Sequence, residues 1–145
     1  MRFKEFMDQD ICILEMTDYA ATHSAEGGDK VIIADLKSIG VNKMNVKELS
    51  HNIDLKTNIK YAHIKISDVN WKQIIAKLMT KGYKVESKSG VSYLEAIIKK
   101  GNYYFNFSGD TKPISQPPFV EISALISTRK NSEEEIKDLL YKTRA

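Results

Sequence analysis

The sequence predicts an α+β fold: a mainly antiparallel sheet with one central and one C-terminal helix packed on one face. Three observations predict it. Residues 91–107 read V-S-Y-L-E-A-I-I-K-K-G-N-Y-Y-F-N-F, two apolar, β-branched and aromatic runs that meet at Lys100-Gly101-Asn102, which is hairpin chemistry. After a loop carrying three prolines, residues 119–127 return as F-V-E-I-S-A-L-I-S, with the period-two alternation of a strand. Strands are grouped and helices are few, so the elements run roughly β-β-β-α-β-β-β-β-α. That order belongs to α+β architecture rather than to a doubly wound parallel sheet.

Each element has its own reason. Residues 1–9 form a short amphipathic helical turn with Phe3, Phe6 and Met7 on one side, and residues 10–16 read as a strand. Residues 17–29 are a polar connection ending in the turn signal Glu26-Gly27-Gly28-Asp29. The run V-I-I-A-D-L within residues 30–36 reads as a buried strand, and residues 38–54 as irregular with one helical turn at 46–51. Residues 56–67 alternate, so that Ala62, Ile64 and Ile66 face the core while Tyr61, His63 and Lys65 face the other way. The central helix follows. Ser67 or Asp68 caps it, Trp71, Ile74, Ile75, Leu78 and Met79 share one face, and Gly82 ends it. A strand at 83–86, the hairpin and the returning strand complete the sheet. The last helix opens with Ser132 and Glu135 at capping-box spacing and carries Ile136, Leu139 and Leu140 as an apolar stripe.

The chain of 145 residues is read as one globular domain over 1–145, with residues 1–15 as a targeting-like segment. Its composition, 42% hydrophobic and 28% charged, is that of a folding sequence. No apolar run is long enough to span a membrane and no secretory h-region opens the chain. A single cysteine, Cys12, sits in the apolar run Ile11-Cys12-Ile13-Leu14, which points to a small buried hydrophobe and a reducing, cytoplasmic setting. Charge is uneven. Residues 1–60 hold 8 Lys/Arg against 10 Asp/Glu, residues 61–112 hold 9 against 4, and residues 113–145 hold 5 against 5. Every base in that middle third is lysine, which gives a diffuse cationic surface rather than bidentate arginine recognition.

Catalytic signatures are missing. There is no GxxxxGK[ST], GxGxxG, HExxH or CxxC, and His23, His51 and His63 are isolated from one another. The expectation is a chain with no metal site, no cofactor and no assigned catalytic residue. His63 is the best single histidine for a general base, yet a solvated strand residue accounts for it. Asp110, in F-S-G-D-T, reads as turn chemistry.

Lys100-Gly101-Asn102-Tyr103-Tyr104-Phe105-Asn106-Phe107 resembles the ribonucleoprotein signature of the RNA-recognition-motif family, which implies aromatics stacked on bases. It departs from that signature at Asn102 and Tyr103, and a Gly-Asn hairpin turn with an aromatic core explains the same residues. On either reading Tyr61, His63, Lys65, Tyr93, Lys99, Tyr103 and Tyr104 are expected to share an uncovered sheet face and to form the partner-binding site.

The N-terminal Met1-Arg2-Phe3-Lys4-Glu5-Phe6 resembles the opening of internal head proteins of T-even-type bacteriophages, and Ile13-Leu14-Glu15 is similar to the site at which that family's leader is removed. The resemblance implies a small accessory protein of a phage, acting in the host cytoplasm or the virion by docking a host or virion protein. The expected function is therefore non-enzymatic protein binding. Single-stranded nucleic-acid binding through the same lysine and aromatic face is the alternative, and a small enzyme without a local motif is a third. No membrane partner is expected.

Overall fold

The computed structural model describes residues 16–89, 93–110 and 118–144. The chain runs through α1 (Asp18–His23), α2 (Gly28–Ser38), β1 (Asn45–Asn52), β2 (Thr57–Ser67), α3 (Trp71–Met79), β3 (Lys84–Ser89), β4 (Tyr93–Lys100), β5 (Tyr103–Asp110), β6 (Phe119–Lys130) and α4 (Glu133–Arg144). The strands form one six-stranded sheet in the order β1-β2-β6-β5-β4-β3. Every pairing in it is antiparallel. The α+β class is as the sequence predicts. The short turn over 1–9, most of the strand over 10–16 and the Ile13-Leu14-Glu15 site lie outside the described residues.

The central strands of the sheet are buried on both faces. On the first, Ile64, Ile66, Ala96, Ile98, Phe105, Phe107, Val120 and Ile122 meet Ile32 and Leu36 of α2 and Ile74 and Leu78 of α3. On the second, Ile59, Tyr61 and Leu125 pack against Met16, Ala20 and Ala21 around α1. The inward set predicted for β2 is therefore right in its sidedness, but the other side is covered too.

Three stretches differ from their sequence readings. Residues 30–36 are helical, not a strand: Gly28, Ile32 and Leu36 are buried at four-residue spacing while Lys30, Ala34 and Lys37 are exposed. A short β-branched run does not by itself separate helix from strand, and the 3.6-residue period decides. Residues 45–52 are an edge strand, not irregular with a helical turn. They show no alternation because six of the eight are exposed. The polar connection of 17–29 contains α1, capped by Thr17, whose side chain accepts from the Ala20 amide at 3.2 Å.

The cap of α3 also moves. Asn70, not Ser67 or Asp68, accepts from the Lys72 amide at 2.8 Å. Asp68 instead turns left-handed, with φ 60°, and gives its amide to the Pro118 carbonyl at 2.8 Å. The hairpin forms at Gly101-Asn102 with Lys100 opposite Tyr103, and Gly101 takes φ 59°. Positive φ at the first of two turn residues is the II′ pattern that suits strand twist. The capping box of α4 forms as predicted. The Glu135 amide bonds Ser132 Oγ at 3.2 Å and the Ser132 amide bonds Glu135 Oε1 at 2.9 Å.

Gly109 and Asp110 are not a turn; β5 runs through them. A Cβ at Gly109 would lie 2.5 Å from Trp71 Cβ, so the glycine marks where α3 presses onto the sheet. Gly109→Ala should destabilise the fold by about 1–3 kcal/mol, the cost of overpacking. Urea unfolding at fixed m-value checks it.

Asp35 of α2 ties the other end of that layer. Its Oδ2 accepts from Lys100 Nζ at 2.7 Å and from the Tyr83 hydroxyl at 2.8 Å. Burial pushes the Asp35 carboxyl up, but the bonds from Lys100 and Tyr83 outweigh it and hold the group below its ordinary value. Burial, and then the facing carboxylate, push the Tyr83 hydroxyl up. A carboxylate lowered in the folded state adds stability that is present above its unfolded pKa, near ~3.9, and lost as pH falls through the folded value. Asp35→Asn should cost about 1–2 kcal/mol at neutral pH. That gap between the two proteins should close below a pH of about 4, as denaturant titrations at neutral and acid pH will show.

Candidate functional site

The second sheet face holds a row of polar side chains that the hydrophobic pattern does not account for. His63 of β2 stands opposite Ser123 of β6, which stands opposite Asn106 of β5. One step along, Glu121 of β6 stands opposite Ser108 of β5 and Lys65 of β2. Five of these are buried: His63 is 6% exposed, Asn106 3%, Glu121 2%, and Ser108 and Ser123 0%. They share a face because antiparallel neighbours directly opposite point the same way.

Within the row His63 Nε2 lies 3.0 Å from Glu121 Oε2. Helix α1 reaches the row through its own cap, with Thr17 Oγ1 donating to Asn106 Oδ1 at 3.2 Å. Asn106, Ser108, Glu121 and Ser123 each make a further contact, so none of them is an orphaned polar group. A histidine touching a carboxylate away from water is the arrangement that proton transfer uses.

The partner site expected from sequence comes apart on this geometry. Tyr61, 2% exposed, lies in the α1 core and His63 lies in the polar row, so neither is on an open surface. Tyr103 points to the first face and packs beside Gly28. Tyr61 packs against α1, Tyr103 lies against the start of α2, and His63 is held in its contact with Glu121. Tyr93 opens β4 opposite Asp110, and its side chain lies outside the described residues. Lys65 is exposed and sits 4.8 Å over the Phe119 ring. Lys99 and Tyr104 do come together, Lys99 Nζ lying 5.3 Å from the Tyr104 ring centroid. Their neighbours are residues that sequence reasoning missed, Tyr19 and His23 of α1, stacked at 4.0 Å and each edge-on to Tyr104.

The two sheet edges differ. β3 carries a register shift between Val85 and Ser87 and the charges Lys84, Glu86 and Lys88 in its six residues. Bulges and charges of this kind blunt an edge. β1 pairs with β2 in unbroken register over all eight residues and contains no proline. Among the described residues no strand lies beside its outer side.

No family model, no curated protein and no solved structure matches this chain. Among the described residues no helix is long and apolar enough to cross a membrane, and no cluster of three His, Cys, Asp or Glu could hold a metal.

Removing one member of a buried hydrogen-bonded pair leaves the other unsatisfied and costs about 1–3 kcal/mol. Glu121→Leu should show that loss in thermal or urea unfolding. The double variant His63→Leu with Glu121→Leu should be more stable than Glu121→Leu alone, because no polar group is then left buried without its partner.

Proposed function

We propose that the chain is a binding module that docks a protein partner by adding one of the partner's strands to β1. One observation carries the reading: among the described residues β1 is an open, uninterrupted edge, six of its eight residues exposed, on a sheet whose other edge is bulged. Main-chain bonds to such an edge give affinity, and side chains on alternate faces give selectivity. The N-terminal resemblance to phage internal head proteins supports a host or virion protein as that partner.

Amides along an antiparallel edge alternate between the neighbouring strand and solvent. Of Lys47→Pro and Glu48→Pro, one therefore removes an outward donor and leaves the β1–β2 ladder intact. That variant should stay folded by circular dichroism and lose a partner captured from bacterial lysate, while Glu86→Pro on β3 keeps it. Capture unaffected by both β1 variants would rule the edge out.

A second reading has its own support in the His63–Glu121 contact at 3.0 Å, which gives the chain a general acid–base pair of the kind a small enzyme needs.

A further inference from the structure

β1 begins beside an open trough. The outer hollow, about 620 Å3, is lined by Asn45 and Val46 of β1, by Lys43 just before it, and by Lys65, Ser67 and Asp68 at the end of β2. The inner hollow, about 340 Å3, shares Lys43, Ser67 and Asp68 and continues to Gln73 and Lys77 of α3. Its apolar lining is Ile39, Val41, Ile66, Val69 and Ile74.

The rim is cationic and uncompensated. Among the described residues Lys43, Lys65 and Lys77 have no carboxylate at ion-pair distance, and neither has Lys47 on β1 itself. Glu48 is already paired with Lys60 at 3.0 Å, which leaves Asp68 as the acid within the hollows. An occupant that meets this rim favourably carries negative charge, and one that meets the lining carries an apolar group.

Self-pairing of β1 does not supply that charge along the strand itself. Two β1 strands related by a two-fold axis pair antiparallel, and each residue then meets one from its own face of the strand. Lys47 shares its face with Asn45, Leu49 and His51, as the register with β2 shows. It meets no acid in any such register. Glu48 lies on the other face with Val46, Ser50 and Asn52 and meets no base. A different chain supplies the complement along the strand that self-pairing lacks.

Direction follows from the sheet, in which every pairing is antiparallel. A segment added antiparallel to β1 leaves over Asn45, so its C-terminal flank enters the trough. We infer that β1 receives an extended acidic segment of another protein, running antiparallel, with carboxylates of its C-terminal flank between Lys43 and Lys77 and an apolar side chain on the lining beneath. This deepens the strand-addition reading and rests on it.

Selection of a random peptide library on the immobilised protein tests both and separates them. Recovered peptides should carry Asp or Glu C-terminal to a β-prone run. Their affinity, read by fluorescence anisotropy, should fall with added salt and drop by about tenfold or more on Lys43→Glu with Lys77→Glu. Both lysines are exposed, so that variant keeps the fold. Peptides without an acidic excess, or binding indifferent to the two substitutions, overturn the inference and leave strand addition standing. Recovery unchanged on the β1 proline variant that keeps the fold overturns strand addition, and the inference with it. Concentration-dependent dimerisation abolished by the same proline variant makes the occupant a second copy and also overturns it.

Discussion

The pairing of β2 with β6 is what the rest of the molecule depends on. It joins the β1–β2 hairpin to the β3–β6 meander, and its register runs from Thr57 opposite Lys130 to Ser67 opposite Phe119. Without it the sheet would be two separate ladders, each with a hydrophobic face and two open edges. It also sets both cores. Ile64, Ile66 and Ile122 enter one face, and Ile59, Tyr61 and Leu125 enter the other. The polar row depends on the same register, since it places Glu121 within reach of His63 from a strand distant in sequence.

Burial on both faces explains why the surface of this protein lies at its rim. A half-covered antiparallel sheet offers a broad face to a partner. Here α2 and α3 take one face and α1 takes part of the other, so exposed chemistry moves to the edges and ends of strands. The lysines that give the middle third its charge follow that rule. Lys65 and Lys77 sit at the mouth of the trough, Lys99 and Lys100 at the hairpin end.

What was legible in the sequence was whatever carried its own periodicity. The sidedness of β2, the apolar stripe of α3, the Gly101-Asn102 hairpin, β6 and the capping box of α4 all follow from spacing within one element. β1 was not legible, because an edge strand exposed on both sides has no apolar alternation to display. α2 was not, because V-I-I-A-D-L satisfies a buried strand as well as a helix until its cross-chain neighbours are known. Of the candidate site, His63 could be picked out and its strand face assigned. Glu121, Ser123 and Asn106 could not, since nothing in F-V-E-I-S or F-N-F separates a buried polar residue from a solvated one. Their meaning lies in a cross-strand row, which exists only once register is fixed.

The break in that register has a bearing on the order of events in folding. Lys60 pairs with Ser127 and Tyr61 with Leu125, so Ile126 is the extra residue of a bulge. Its carbonyl accepts the Gly27 amide at 3.1 Å. Gly27 is the N-cap of α2 and provides no side-chain cap of its own. A helix of eleven residues with a left-handed glycine at its start is a poor nucleus by itself. Its N-cap amide is held by a strand near the other end of the chain, so that support for α2 is in place only once β6 has docked. Emerging from the ribosome, the N-terminal third would wait for the C-terminal strand before it could hold its shape.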